Sequence, residues 1–300
     1  MGPRVIVVVK RTAYRLFVEQ EQDDRIARLL KKNDPTVRSM RRSHDEHEAT
    51  IEEVDGVLRR LGADALWIRR AHAPYDPDDA ALVVTVGGDG TLLAASHQVG
   101  RTPILGVNSA PSHSVGFFCG VKKGHAAGAI ERALEGKMRA VELTRMTVLL
   151  NGKPLSTRVL NDALFCHRSP AATARYIVTL GRVVEEQKSS GFWVGPAAGS
   201  TAAQRSAGGK ILPLTSPDLQ LVVREPYTPE GEKLKVTRAL IASKKELFVR
   251  SKIRQGRLFI DGPHEFTEIQ MGDRLIFRRS PESLVVLGLG LGTRRRWARH

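Results

Sequence analysis

Apolar residues fall in short blocks along the first part of the chain. Val5–Val9 is a continuous run of β-branched side chains, which predicts a strand buried on both faces. Polar helical sequence follows to about Leu30. Lys31–His44 is basic and weakly patterned, a loop or a short helix. Ala49–Leu61 sets Ile51, Val54, Val57, Leu58 and Leu61 at helical spacing, and Gly62 is a natural stop. Ala65–Ile68 and Ala80–Val86 predict two further strands, Thr91–Gln98 a helix, and Ile104–Val107 another buried strand. Strands alternating with helices across short turns predict a parallel α/β sheet over residues 1–140.

The pattern changes after about Met138. Thr147–Leu150, Leu160–Phe165, Tyr176–Leu180, Leu219–Val223, Glu246–Val249, Leu258–Ile260 and Leu275–Arg278 all read as strands. Asn151-Gly152, Asp261-Gly262 and Gly272-Asp273 supply turns between them. An antiparallel, all-β domain is expected over residues 141–280.

Composition narrows the function. The chain has 300 residues, 41% apolar and 26% charged, which predicts a folded globular protein. A net charge of +15 attracts anions, from nucleotides to polyphosphate. The charge is spread out, apart from clusters at Arg38–Arg42 and Arg294–Arg296. Aromatics are only 5%, so no stacking platform for bases is visible and no nucleic-acid partner is expected. Cys119 and Cys166 make neither a disulfide framework nor a metal motif. The opening MGPRVIVVVKRT has too short an apolar run for a signal peptide, and Leu284–Leu291 is too short to span a bilayer. A cytoplasmic protein without a membrane partner is the expectation.

The chemistry concentrates in four places. Gly87-Gly88-Asp89-Gly90-Thr91 lies between a buried strand and a helix, where open α/β folds bind ligands. Glycines let backbone approach a phosphate, and the helix start offers free N–H groups. Asp89 among phosphates suits orienting or deprotonating a hydroxyl, or binding Mg²⁺. Gly191–Ala202, running on to Ser206 and Gly209, reads as a loop entering a helix capped by Ser200 or Thr201. Its small residues leave room for a flat ligand. Asn161-Asp162 suits a pair of ribose hydroxyls. Asp261-Gly262 reads first as a hairpin turn. The run His44-Asp45-Glu46-His47 lacks metalloprotease spacing and reads as a solvated helix face.

Taken in order, these segments resemble the NAD kinase family. The resemblance rests on Gly87–Thr91, Gly106-Val107-Asn108, Gly116-Phe117-Phe118, Asn161-Asp162, Gly199-Ser200-Thr201-Ala202 and Ser206-Ala207-Gly208-Gly209, and spans nearly the whole chain. Val7–Lys10, Gln187–Gly191 and Arg224-Glu225-Pro226 make it look similar to the mitochondrial-type branch, in a bacterial member. The resemblance implies a Rossmann-like first domain, a C-terminal β-sandwich, and a tail over 281–300 that returns to the first domain. It implies Asp89 as the catalytic aspartate. It implies substrate contacts from Gly88, Gly90, Thr91, Asn108, Asn161, Asp162, Lys188, Gly199, Ser200, Thr201, Ala202, Ser206 and Asp261. The implied reaction transfers a phosphoryl group from ATP, with Mg²⁺, to the adenosine ribose 2′-hydroxyl of NAD or NADH; polyphosphate is a second donor used by some members. A homodimer or homotetramer is implied.

The chain departs from the family pattern. Asp162 stands where most members have Glu, Ser190 where classical members have Asp, Pro196-Ala197-Ala198 for Thr-Pro-Thr, and Ala203 for a ligand-packing Tyr. GGDGT is shared with diacylglycerol and sphingosine kinases, and phosphofructokinases carry a related turn. A lipid kinase and a non-catalytic nucleotide-binding module are therefore the alternatives.

Overall fold

The computed structural model describes residues 2–71, 73–228, 230 and 233–290. The chain forms two compact units. The first comprises Met1–Val141 with Leu284–Gly290, and the second Glu142–Ser283. The basic cluster Arg294–Arg296 lies outside the described residues.

In the first unit, β1 (Arg4–Val9), β2 (Asp64–Ile68), β3 (Leu82–Gly87) and β4 (Ile104–Asn108) pair in parallel in the order β2-β1-β3-β4. β5 (Val121–Lys122) pairs with β4, and beyond β4 come β19 (Leu284–Leu287) and β6 (Ala140–Leu143). β19 runs parallel to β4 through Val286 and Ile104. Every residue of β3 and β4 is buried, which explains their unbroken apolar sequence. Val54, Val57 and Leu58 of α2 (Met40–Arg60) and Ala126, Ala129 and Ile130 of α4 (Ala126–Leu134) join that core.

Here the helices correct the sequence reading. α2 begins at Met40 rather than near Ala49, and a six-residue π-helix (Arg15–Gln20) precedes α1 (Asp24–Lys31). α3 (Asp89–Ser96) starts inside the glycine motif, two residues before the predicted start. His44 and His47 are 7% and 1% exposed, so HDEH is no solvated face. Both histidines of that motif pack inward because their imidazoles have buried polar partners.

The second unit is two six-stranded antiparallel sheets. One has the order β11-β10-β15-β18-β7-β8 and the other β14-β13-β12-β9-β16-β17. The first is made of β7 (Met146–Leu150), β8 (Lys153–Val159), β10 (Ala174–Leu180), β11 (Val183–Ser189), β15 (Glu246–Ser251) and β18 (Arg274–Arg279). The second is made of β9 (Ala163–His167), β12 (Phe192–Pro196), β13 (Leu219–Val223), β14 (Arg238–Ile241), β16 (Gly256–Ile260) and β17 (Glu265–Ile269). One core joins them: Phe165 and Phe192 from one sheet meet Tyr176 and Phe277 from the other, with ring centroids 5.0 to 5.9 Å apart.

β12 is the largest departure from the sequence reading. Phe192–Pro196 looks like a glycine-rich loop, yet it is a central strand paired with β9 and β13. Alternating burial of Phe192 and Val194 in the core holds it there despite Gly195 and Pro196. The strand expected at Leu160–Phe165 begins only at Ala163. No helix among the described residues is long and apolar enough to cross a membrane.

Candidate active site

In the first unit, β3 and β4 end side by side, with Gly87 in register with Asn108. Gly88 caps α3 in an extended conformation, and a Cβ there would lie 2.6 Å from Ser114 Oγ. A Cβ at Gly87 would collide with the Thr91 hydroxyl. Gly90, by contrast, is exposed with open space above it. Thus two glycines of the motif close a tight turn and the third leaves a surface bare.

Asp89 opens α3, and both of its carboxylate oxygens are held. Phe117 N–H donates to Oδ2 at 2.9 Å and Phe118 N–H to Oδ1 at 2.7 Å. Gly116 makes that grip possible. Its φ is +62°, and a Cβ would collide with the Asn108 amide. Asn108, 1% exposed, donates from Nδ2 to the Ser114 carbonyl at 2.9 Å, while its Oδ1 is buried and accepts nothing. Gly88, Asp89, Thr91 and Asn108 are therefore brought together, around a loop that grips the acid.

Helix α2 braces that loop, which the sequence reading missed. His47 Nε2 meets the Lys10 carbonyl at 2.9 Å and Nδ1 meets Ser109 Oγ at 2.8 Å. A carbonyl only accepts, so Nε2 carries the proton and Nδ1 accepts from Ser109. Burial pushes the His47 pKa down to about 4, which keeps the ring neutral. Ser112 Oγ donates to Glu46, and Glu53 accepts N–H bonds from Gly124, Ala126 and Ala127. The HDEH motif carried the only signal: two histidines separated by a helical spacing beside a polar strand end.

In the second unit, Asn161 and Asp162 sit between β8 and β9. The Asp261 carboxylate, beyond the end of β16, accepts N–H bonds from Leu160, Asn161 and Asp162 at 2.8, 2.7 and 2.9 Å. Asp261 has φ +48°, and its own N–H returns to the Asp162 carbonyl at 2.9 Å. Asp261 thus holds the backbone of the pair instead of simply turning a hairpin. Asn161 Nδ2 donates to Asp162 Oδ2 at 2.9 Å. Asp162 is 4% exposed; burial, and then the charge of Asp261, raise its pKa to about 7. Arg145 is wholly buried and 3.4 Å from Glu282; burial lowers its pKa to about 10, against the charges of Glu282 and Asp261.

Two glycines of the glycine-rich run are small because protein backbone passes close to them. A Cβ at Gly199 or at Gly195 would collide with the Asn161 carbonyl. Gln204, fully buried, reaches the same carbonyl from Nε2 at 3.4 Å and accepts from Gln220 at 3.1 Å. Ser200 is also fully buried: its hydroxyl donates to Ala197 O at 2.8 Å and accepts from Leu212 N at 3.0 Å. Its hydroxyl is spent on the fold, and neither Ser200 nor Thr201 caps a helix. Ala197–Thr201 is a 3₁₀ turn, and α5 (Ala203–Ser206) starts after Ala202 without a side-chain cap. Thr201 is half-buried, and Ala202 and Ser206 are exposed. Lys188 stands apart on β11 of the other sheet, its ammonium 4.8 Å from the Tyr227 ring centroid.

Comparison with known proteins places these features. Residues 4–138 match the ATP-NAD kinase N-terminal domain. A probable NADH kinase of Oryza sativa is 34% identical over 251 residues, covering 76% of this chain and 77% of that protein. The NADH kinase of Arabidopsis thaliana is 30% identical, covering 76% and 79%. An NAD kinase of Methanothermobacter thermautotrophicus is 32% identical, covering 67% and 69%. The fold matches an NAD kinase from Archaeoglobus fulgidus solved in complex with ATP (TM-score 0.71, 18% identity, 99% of this chain and 98% of that one). It also matches yeast NADH kinase complexed with NADH (TM-score 0.68, 14% identity, 100% and 87%). With relatives this similar over three quarters of its length, and a glycine turn that presents a firmly held aspartate, the chain belongs to the NAD kinase family.

Proposed function

We propose that the protein phosphorylates the adenosine ribose 2′-hydroxyl of NAD or NADH with ATP, giving NADP or NADPH. The observation that carries the reading is the Asp89 carboxylate, fixed by two backbone N–H groups at the carboxyl end of a parallel sheet. A carboxylate oxygen keeps a lone pair beyond the one that Phe117 or Phe118 uses, so Asp89 can still accept a hydroxyl proton. The 2′-oxygen then attacks the γ-phosphorus, the bond to the ADP oxygen breaks, and the proton passes to Asp89. An Mg²⁺ ion accompanying the donor would neutralise phosphate charge, and Asp89 is the carboxylate of this turn that would hold it. The net charge of +15 suits ATP and polyphosphate alike.

Asn161 and Asp162 are the proposed ribose clamp, with Gly88, Gly90, Thr91, Asn108, Thr201, Ala202 and Ser206 as further substrate contacts. The reacting hydroxyl belongs to the adenosine half, so the redox state of the nicotinamide is no chemical barrier. The names of the plant relatives and the NADH-bound yeast structure support including NADH.

A homo-oligomer is part of the same proposal. Val184, Thr179, Phe248, Ile276 and Leu149 lie in register across five strands of one sheet, on its outer face. Phe248 is 43% and Val184 68% exposed, in a row that is apolar but for Thr179 and suits association. Two free cysteines, Cys119 and Cys166, suit a reducing compartment such as the cytoplasm.

The test is turnover by the purified protein, crossing NAD and NADH with ATP and polyphosphate, with diacylglycerol as an alternative acceptor. NADP or NADPH formation with ATP is expected. Label entering diacylglycerol, or NAD binding without turnover, would replace the proposal. Sedimentation showing only the 33.0 kDa species at micromolar concentration would remove the oligomer.

A further inference from the structure

Away from Asp89, the first unit contains a cavity of about 370 Å³. Its walls come from the π-helix, α1, the loop after α1 and the start of α2. Val18, Leu30 and Val37 form an apolar floor, and Val37 is 4% exposed, so the floor is anchored in the fold. Lys31, Arg38 and Arg41 form the rim. The volume falls in the range of small-molecule sites, and the lining is half apolar, with three exposed cations.

Among the described residues no direct ion pair joins Lys31, Arg38 or Arg41 to a carboxylate, although the charge of Arg38 acts on Asp34 from a longer distance. The ion pairs of this segment use Arg15 with Glu19 and Glu48, and Arg42 with Glu46, leaving Lys31, Arg38 and Arg41 outside them. Arg41 is instead held over the Tyr14 ring, 5.1 Å from its centroid, and Tyr14 stacks on the buried His44 ring at 5.0 Å. One cation of the rim is thus pre-positioned through an aromatic stack onto α2. The π-helix is itself a rare element that recurs at functional sites.

The geometry points to a binding site for a small organic anion, a phosphate or carboxylate on a short apolar body, in this cavity. The three cations take the anionic head, the guanidinium groups with forked N–H donors, and the floor takes the apolar body. A free small molecule fits better than an anionic bilayer. Glu19, Glu21, Asp23, Asp24 and Asp34 lie on the same segment and would oppose a negative surface, whereas the charged residues lining the cavity itself are all cations. The site is independent of the phosphoryl-transfer reading.

Hexyl phosphate is the probe, titrated calorimetrically into the whole purified protein. Inorganic phosphate, hexanol and phosphatidylglycerol vesicles are the comparison arms. Hexyl phosphate is expected to bind at least tenfold more tightly than either inorganic phosphate or hexanol. Arg38→Gln with Arg41→Gln should weaken it at least tenfold. Ala27→Phe puts a ring into the cavity from an exposed position on α1 and keeps all the charges. It should abolish hexyl phosphate binding while NADP formation stays at the wild-type rate. Hexyl phosphate affinity unchanged in both variants, or no binding by the wild type at millimolar concentration, would overturn the site. Equal affinity for inorganic phosphate would reduce it to a charged surface, and vesicle binding lost in the arginine variant would make it a membrane contact; either result also overturns it.

Discussion

The Asp261 carboxylate accepts the Asn161 N–H at 2.7 Å, joining two residues one hundred positions apart in the chain. The bond is one of three by which Asp261 holds the backbone of residues 160–162. Two glycines admit that backbone from the other side. The proposed ribose clamp is therefore built from its backbone outward, and its side chains are aimed by residues that need not touch substrate.

Asp261→Ala should release this segment. Three N–H groups lose a charged acceptor, and an unmet buried donor costs about 1–3 kcal/mol. Denaturant melts should show a loss of at least that size. The KM for NAD should rise more than tenfold while the KM for ATP changes little. An unchanged KM for NAD would separate Asp261 from the clamp.

Asp89→Asn should lower turnover by roughly two to four orders of magnitude, the scale of lost general-base catalysis. The fold should survive, since an amide oxygen still accepts the Phe118 N–H. Single-turnover kinetics with NAD binding measured separately will check it. Near-normal turnover would take Asp89 out of the mechanism.

Gly199→Ala should already be harmful, because its methyl would strike the Asn161 carbonyl. A stability loss of about 1–3 kcal/mol is the scale of such overpacking. Gly199→Val should be worse, through the displaced clamp and not through a blocked pocket. Ala203→Tyr, at a half-buried position one turn on, should fold normally and tighten NAD binding by about 1 kcal/mol if its ring packs on the ligand. Thermal melts and KM values on all three variants test the contrast.

His47 makes stability depend on pH in a defined direction. Its pKa drops from an ordinary 6.5 to about 4 in the fold, so the unfolded chain takes up the proton first. Its contribution is complete above pH 6.5 and is lost as pH falls toward 4, by roughly 3 kcal/mol in all. Urea midpoints measured from pH 7 to pH 4.5 should fall less steeply in His47→Gln than in the wild type. Parallel slopes would show that His47 titrates normally.

Asp162 should make substrate binding depend on pH in the same direction, but around neutrality. Its pKa is raised to about 7, so the group gains its negative charge only near neutrality. Hydrogen bonds from ribose hydroxyls to a charged acceptor are stronger than to a neutral one. NAD affinity should therefore rise as pH goes from 6 to 8, and Asp162→Asn should remove that rise. Calorimetry across this range decides it.

The amino-acid sequence determined the four parallel strands β1 to β4 of the first unit in their chain order, and the presence of an antiparallel second unit. Buried parallel strands are written as unbroken apolar runs, and Val5–Val9 or Leu82–Val86 cannot be mistaken. It also determined Asp89, because three glycines around one acid are costly unless a turn needs them. Tertiary structure decided the rest. Phe192–Pro196 is a strand only because Phe192 and Val194 fill a core made by the opposite sheet. Gly195 and Gly199 are small for the sake of the Asn161 carbonyl, a contact more than thirty residues away in sequence. His44 and His47 carry a surface pattern and yet are buried, because Thr12, Ser109 and the Lys10 carbonyl receive them. A local pattern states what a segment can bury; which polar partner it meets depends on chain crossings that no local window contains.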